Sequence, residues 1–137
     1  MRIFNSEKGN VDLGILAYRV LVAASLLFVH GFGKLSNLQE EAATFPDPFK
    51  LGVKFTFCFA IFASVICPLM IMLGLLTRMA TLGVAAVTLT GLFIVHLHDP
   101  LVVKDTPYMY SVAMMLIFII GPGKYSIDQW ITNRKRI

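Results

Sequence analysis

Arg19, His30 and Lys34 lie in or at the end of one long apolar stretch, and their spacing lines them up on one helix face. Eleven residues separate Arg19 from His30, about 1,100° of helical rotation, so the two side chains fall within about 20° of each other. Lys34 follows one turn later. A strip of guanidinium, imidazole and ammonium groups suits an anionic or quinone-like ligand, because each group can donate a hydrogen bond to an electron-rich oxygen. His96, His98 and Asp99 close a later apolar stretch at the depth expected for His30. Three imidazoles at one level could relay protons or bind a metal or haem, but none of the spacings is that of a metal site, and neither group is expected. The expected ligand-binding set is therefore Arg19, His30, Lys34 and His96, with a quinone or another anionic group as ligand and no catalytic residue assigned.

An arginine within hydrocarbon is costly unless it stretches to the headgroups, pairs with an acid or lines a polar cavity. The apolar stretches hold no Asp or Glu. The nearest candidate acids for Arg19 are Asp12, two turns earlier on much the same face, and Asp128 near the C-terminus. Cys58 and Cys67, nine residues apart on one helix, would lie about 13 Å apart along the axis on opposite faces. A disulfide needs Cα atoms within about 7 Å, so each reads as a small packing residue.

The elements that must position these groups follow from charge segregation. Of 137 residues, 57% are hydrophobic and 15% charged, against about a quarter charged in an average soluble domain. The charges gather at the ends and around residues 34–54 and 98–107, leaving apolar segments at 13–33, 55–76, 79–97 and 107–121. A bilayer core of about 30 Å takes roughly 20 helical residues. The fourth segment, with about 15, reaches only about 22 Å and must thin the bilayer or borrow from its flanks. A buried bundle in water is excluded, because a chain this short cannot wrap four such helices in a polar shell. Arg2 and Lys8 precede the first segment as in a signal peptide, but its length, Arg19 and the lack of a small-x-small cleavage pattern make it a mature helix.

The expected fold is thus an all-α membrane protein: an antiparallel, up-down four-transmembrane-helix bundle with a short C-terminal interfacial helix. Arg2, Lys8, Arg78, Lys124, Arg134, Lys135 and Arg136 flank the spans on the side of the termini, against Lys34, Lys50, Lys54 and Lys104 opposite. The positive-inside rule places both termini in the cytoplasm. Thr77 and Arg78 form a connection short enough to make the second and third spans antiparallel neighbours. Pro46, Asp47 and Pro48 break the first loop. Pro68 can kink the second span and free a carbonyl. Gly83, Ala85, Ala86, Thr90 and Gly91, with Ala23, Ala24 and Ser25, offer close-packing surfaces. Gly121, Pro122 and Gly123 end the fourth span, and Ser126 with Gln129 forms a capping box for a helix carrying Ile127, Trp130 and Ile131 on one face.

His30-Gly31-Phe32-Gly33-Lys34-Leu35 after an Arg-containing apolar helix, Leu73-Gly74-Leu75-Leu76-Thr77-Arg78, and Gly121-Pro122-Gly123-Lys124-Tyr125-Ser126-Ile127-Asp128 together resemble the DoxX family in order and spacing, over nearly the whole chain. The resemblance implies a four-helix bacterial inner-membrane protein. Some such proteins are subunits of thiosulfate:quinone oxidoreductases, and others are linked to membrane thiol and oxidative-stress complexes. Many relatives carry a glutamate ten residues before the glycine of the second motif, where this chain has Ser64; if that glutamate pairs with the first-helix arginine, the pair is missing here. The expected function is a membrane subunit or partner of a quinone-linked sulfur or thiol oxidoreductase, since no nucleotide loop, Cys-x-x-Cys pair or catalytic triad occurs. The alternative is a non-catalytic scaffold or assembly factor. Either would contact the bilayer and a membrane-protein partner or a second copy of itself, with no nucleic acid; transport is disfavoured by the absence of an inverted repeat.

Overall fold

The computed structural model describes residues 8–135; Arg2 and Arg136 of the charge count lie outside them. Four helices are long and apolar enough to cross a membrane: α1 (Gly9–Ser36), α3 (Val53–Leu73), α4 (Thr77–Val95) and α5 (Leu101–Ile120). Two short helices lie between and beyond them, α2 (Leu38–Thr44) and α6 (Ile127–Arg134). The protein is an all-α membrane protein, with no strand among the described residues. Its outer surface is apolar, with Leu21, Phe28, Phe55, Phe93, Met115 and Ile119 all exposed. Such a surface suits lipid and not water.

The interior is narrow and built from small or slender side chains: Ala23, Leu26, Cys67, Ile71, Ala80, Val84, Met114 and Ile117. In lipid, helices associate through close backbone approach, which these residues permit. A Cβ on Gly83 would lie 3.1 Å from the Cys67 sulfur, so α4 sits tightly on α3 at that level.

Two boundaries differ from the sequence expectation. The fourth helix starts at Leu101 and runs 20 residues, six more at its start than the expected segment 107–121, so by length alone it can cross a bilayer core. Pro107 lies in its second turn, where it withholds an N–H from the Val103 carbonyl without ending the helix. Lys104, now inside the helix, turns its amine back to the Leu97 carbonyl at 2.7 Å. The second span ends at Leu73, and the connection to α4 is Gly74–Leu76. Gly74 (φ 71°) and Leu76 (φ 45°) reverse the chain in the left-handed region, while Thr77 and Arg78 already belong to α4.

Each of α1, α3 and α4 contains a wider π-helical turn, at Leu27–Gly31, Phe62–Ile66 and Gly91–Val95. The one in α3 immediately precedes Cys67 and Pro68. Pro68 has no N–H to give the Ser64 carbonyl, as expected of a proline there, and α1 approaches at that level. A Cβ on Gly31 would come 2.6 Å from the Ser64 oxygen, so only glycine fits.

In the loop before α3, the Asp47 carboxylate accepts from Leu51 N (3.1 Å), Gly52 N (2.8 Å) and Thr56 Oγ1 (3.0 Å). Desolvation pushes this carboxyl up, but the Gly52, Thr56 and Leu51 donors together hold it below the ordinary carboxylate range. A depressed folded value means that the stabilisation is complete above the unfolded value and disappears as pH falls through the folded one. Amide exchange at Leu51 and Gly52, corrected for intrinsic pH effects, should accelerate only below the ordinary carboxylate range in the wild type. In Asp47→Asn it should be fast at every pH. Protection unchanged by either treatment rules this account out.

Candidate functional site

The bundle end that carries the C-terminal segment gathers three distant stretches around Arg19. The Arg19 side chain is 1% exposed and turned into the bundle. Nη1 donates to the Pro122 carbonyl; Nη2 donates to the Tyr125 carbonyl at 2.7 Å and more weakly to that of Met72 at 3.4 Å. A helix ending in Gly-Pro-Gly exposes carbonyls that no following turn can satisfy, and a guanidinium fork is the side chain best shaped to collect them. Of the three ways to keep an arginine in a membrane, the structure uses polar backbone at the bundle end; Arg19 neither stretches to headgroups nor pairs with Asp12 or Asp128.

Asp128 has a different task. Its carboxylate accepts from Leu76 N (2.8 Å), Thr77 N (2.9 Å) and Thr77 Oγ1 (3.0 Å) at the start of α4. An anion there satisfies orphan N–H groups and complements the helix dipole. Its own N–H donates to Gly74 O at 2.9 Å. Half of the expected capping box forms: Ser126 Oγ accepts from Gln129 N at 3.2 Å, but the Gln129 side chain turns to Asn133 instead of back to Ser126.

Beside this clasp, α1 and α5 leave a half-open cleft of about 330 Å³, lined by Val11, Gly14, Ile15, Tyr18, Arg19 and Ile120 among others, with almost wholly apolar walls. Arg19 forms part of the wall, and its Nε–H is buried without an acceptor.

The other expected site residues lie elsewhere. His30 is eleven residues, about 16 Å, further along α1 than Arg19. Its ring meets Tyr110 of α5 edge-on at 5.4 Å, and its Nε2 is buried without a partner. The Tyr110 hydroxyl shares a 2.8 Å hydrogen bond with Ser25. Lys34 reaches the His30 carbonyl at 3.5 Å. His96 Nδ1 pairs with Asp99 Oδ2 at 2.6 Å, beyond the end of α4. The structure thus joins His30 to Lys34 only, keeps Arg19 in its own site, and links His96 to neither. Cys58 is exposed and Cys67 buried, both unpaired by a disulfide.

Ser64 lies against Gly31, next in sequence to His30, and eight residues, about 12 Å, along α3 from the Met72 carbonyl that faces Arg19. A glutamate at this position would start about 12 Å along α3 from the Met72 carbonyl that faces Arg19. The arginine therefore lacks no carboxylate partner; the carbonyls of Pro122 and Tyr125 fill that role. Reasoning from the chain alone missed this convergence, although Asp128 was visible as a nearby acid and the three motifs were each visible singly.

A family model described as DoxX matches residues 14–97, from α1 to the end of α4. No curated protein and no solved structure matches the chain.

Proposed function

We propose that this chain, which belongs to the DoxX family, is a multi-pass membrane subunit that holds a quinone in the cleft beside Arg19 and serves a partner sulfur or thiol oxidoreductase. The observation that carries the reading is an apolar cleft of about 330 Å³ whose wall includes a buried guanidinium with no acceptor at Nε. A quinone ring is flat and mostly apolar, so contact with Val11, Ile15 and Ile120 would remove it from competition with lipid. Its carbonyl oxygen is the kind of acceptor that a lone N–H donor selects. Arg19 would hold and polarise that oxygen. His30 and Lys34 lie too far along α1 to share the same ring, and would act at the other end of the bundle. The basic residues around the Arg19 end support an orientation with both termini in the cytoplasm of a bacterial inner membrane.

Gly14 offers the test, because a Cβ there meets nothing within 4 Å. Gly14→Leu would fill the cleft without forcing the backbone. The quinone extracted with the purified protein should fall by about tenfold, equivalent to ~1.4 kcal/mol of binding, with helicity and unfolding temperature retained. Equal quinone content in both proteins, or none in the wild type, would refute the reading.

A second reading, a non-catalytic scaffold, is favoured by one observation: Nη1 and Nη2 of Arg19 are already committed to holding the C-terminal segment in place. On that reading the cleft is a packing gap, and the protein copurifies free of quinone with a larger membrane partner.

A further inference from the structure

A second groove, of about 370 Å³, runs between the last turn of α3 and the C-terminal helix α6, lined by Leu73, Tyr125, Ser126, Ile127 and Trp130. We propose that this groove seats one anionic phospholipid, its acyl chain against Leu73 and Ile127 and its headgroup phosphate against the basic side chains of residues 124–135. This site is separate from the cleft beside Arg19 and does not depend on what that cleft holds.

The walls give the acyl half of the argument. Leu73 is 57% exposed in the last turn of a membrane-spanning helix, so one side of the groove belongs to the lipid phase. The other side is α6, which lies across it with Trp130 56% exposed. An indole half out of the protein at the end of a span is the arrangement that anchors helices at the membrane interface.

The charges give the headgroup half. The Arg134 guanidinium lies 4.0 Å over the Trp130 ring. Stacking occupies the π face and leaves the in-plane N–H fork free, the geometry that receives a phosphate. Residues 121–135 contain Lys124, Arg134 and Lys135 and a single acid, Asp128, whose carboxylate is committed to the start of α4. Among the described residues none of the three bases is in an ion pair. An uncompensated cationic rim above an apolar groove needs a ligand carrying both an anion and a hydrocarbon chain. A soluble anion lacks the chain, and a zwitterionic lipid carries its own neutralising cation.

Trp130 is the only tryptophan in the chain, so its fluorescence reports on this groove alone. The full-length protein is reconstituted in phosphatidylcholine vesicles containing a minor fraction of phosphatidylglycerol brominated on the acyl chain, or the same fraction of brominated phosphatidylcholine. Quenching at equal fraction should favour the anionic lipid by about fivefold, the factor one basic side chain near the surface contributes. Added salt should shrink the preference. Lys124→Gln, Arg134→Gln and Lys135→Gln combined, all exposed, should abolish it while far-ultraviolet circular dichroism stays unchanged. Equal quenching by the two lipids, or a preference that survives in the triple variant, overturns the proposal.

Discussion

Replacing Arg19 with alanine is expected to destabilise the protein by about 3–5 kcal/mol. The carbonyls of Pro122 and Tyr125 each lose their guanidinium donor, and the more distant Met72 carbonyl loses a weaker one. A buried acceptor left without a donor costs about 1–3 kcal/mol. Arg19 is also among the largest fully buried side chains, so its removal leaves a void at the join of α1 with the C-terminal segment. Arg19→Lys should fall in between, at about 2 kcal/mol, because a single ammonium cannot span the carbonyls a planar fork reaches. Unfolding followed in detergent gives the magnitudes, and amide exchange gives the location: protection should drop first at Gln129 and at Leu76 and Thr77. A loss below about 1 kcal/mol for alanine would mean that the guanidinium bonds are idle. The same variant separates the two functional readings, since a quinone held by Nε is lost along with the clasp, whereas a scaffold loses stability alone.

The four spans were legible because a bilayer sets one coarse requirement, length of apolar helix, and charges mark where it fails. The errors fell where that requirement is silent. Pro107 looks like a barrier to helix, but the helix runs through it from Leu101, and Lys104 folds back to a loop carbonyl. The α3–α4 connection was displaced by a few residues because Leu76 adopts a left-handed conformation no leucine advertises. That an arginine inside the first span needs polar partners was also legible, but the π-helical turn at Leu27–Gly31 breaks the regular spacing between Arg19 and His30. What spacing along one helix cannot reveal is which neighbour arrives at each level. Arg19 meets the carbonyls that follow α5, whereas His30 meets Tyr110 and the level of Ser64, and those assignments come from the packing of three other helices.

Gly74 is where that packing can be tested with a single methyl group. Gly74→Ala is expected to cost about 3–4 kcal/mol, from two sources. Its φ of 71° is a conformation that costs an L-residue about 1–2 kcal/mol. The added Cβ would also lie 2.9 Å from the Ser126 Cα, 2.5 Å from its Cβ and 3.1 Å from Arg19 Nη1. Ser126 cannot move aside alone, because the next turn is tied to the same connection by Asp128 N to Gly74 O and by the Asp128 carboxylate to Leu76 and Thr77. The methyl must therefore lift the whole of 122–128 off the end of α3, and with it the carbonyls that hold Arg19. By contrast, Gly33→Ala, which meets open space within its helix, should be neutral or stabilising by up to about 1 kcal/mol. If Arg19 and Gly74 act on one clasp, the double variant costs clearly less than the two losses combined, because the second change removes contacts the first has already broken. Losses that add within about 0.5 kcal/mol would instead show two independent sites.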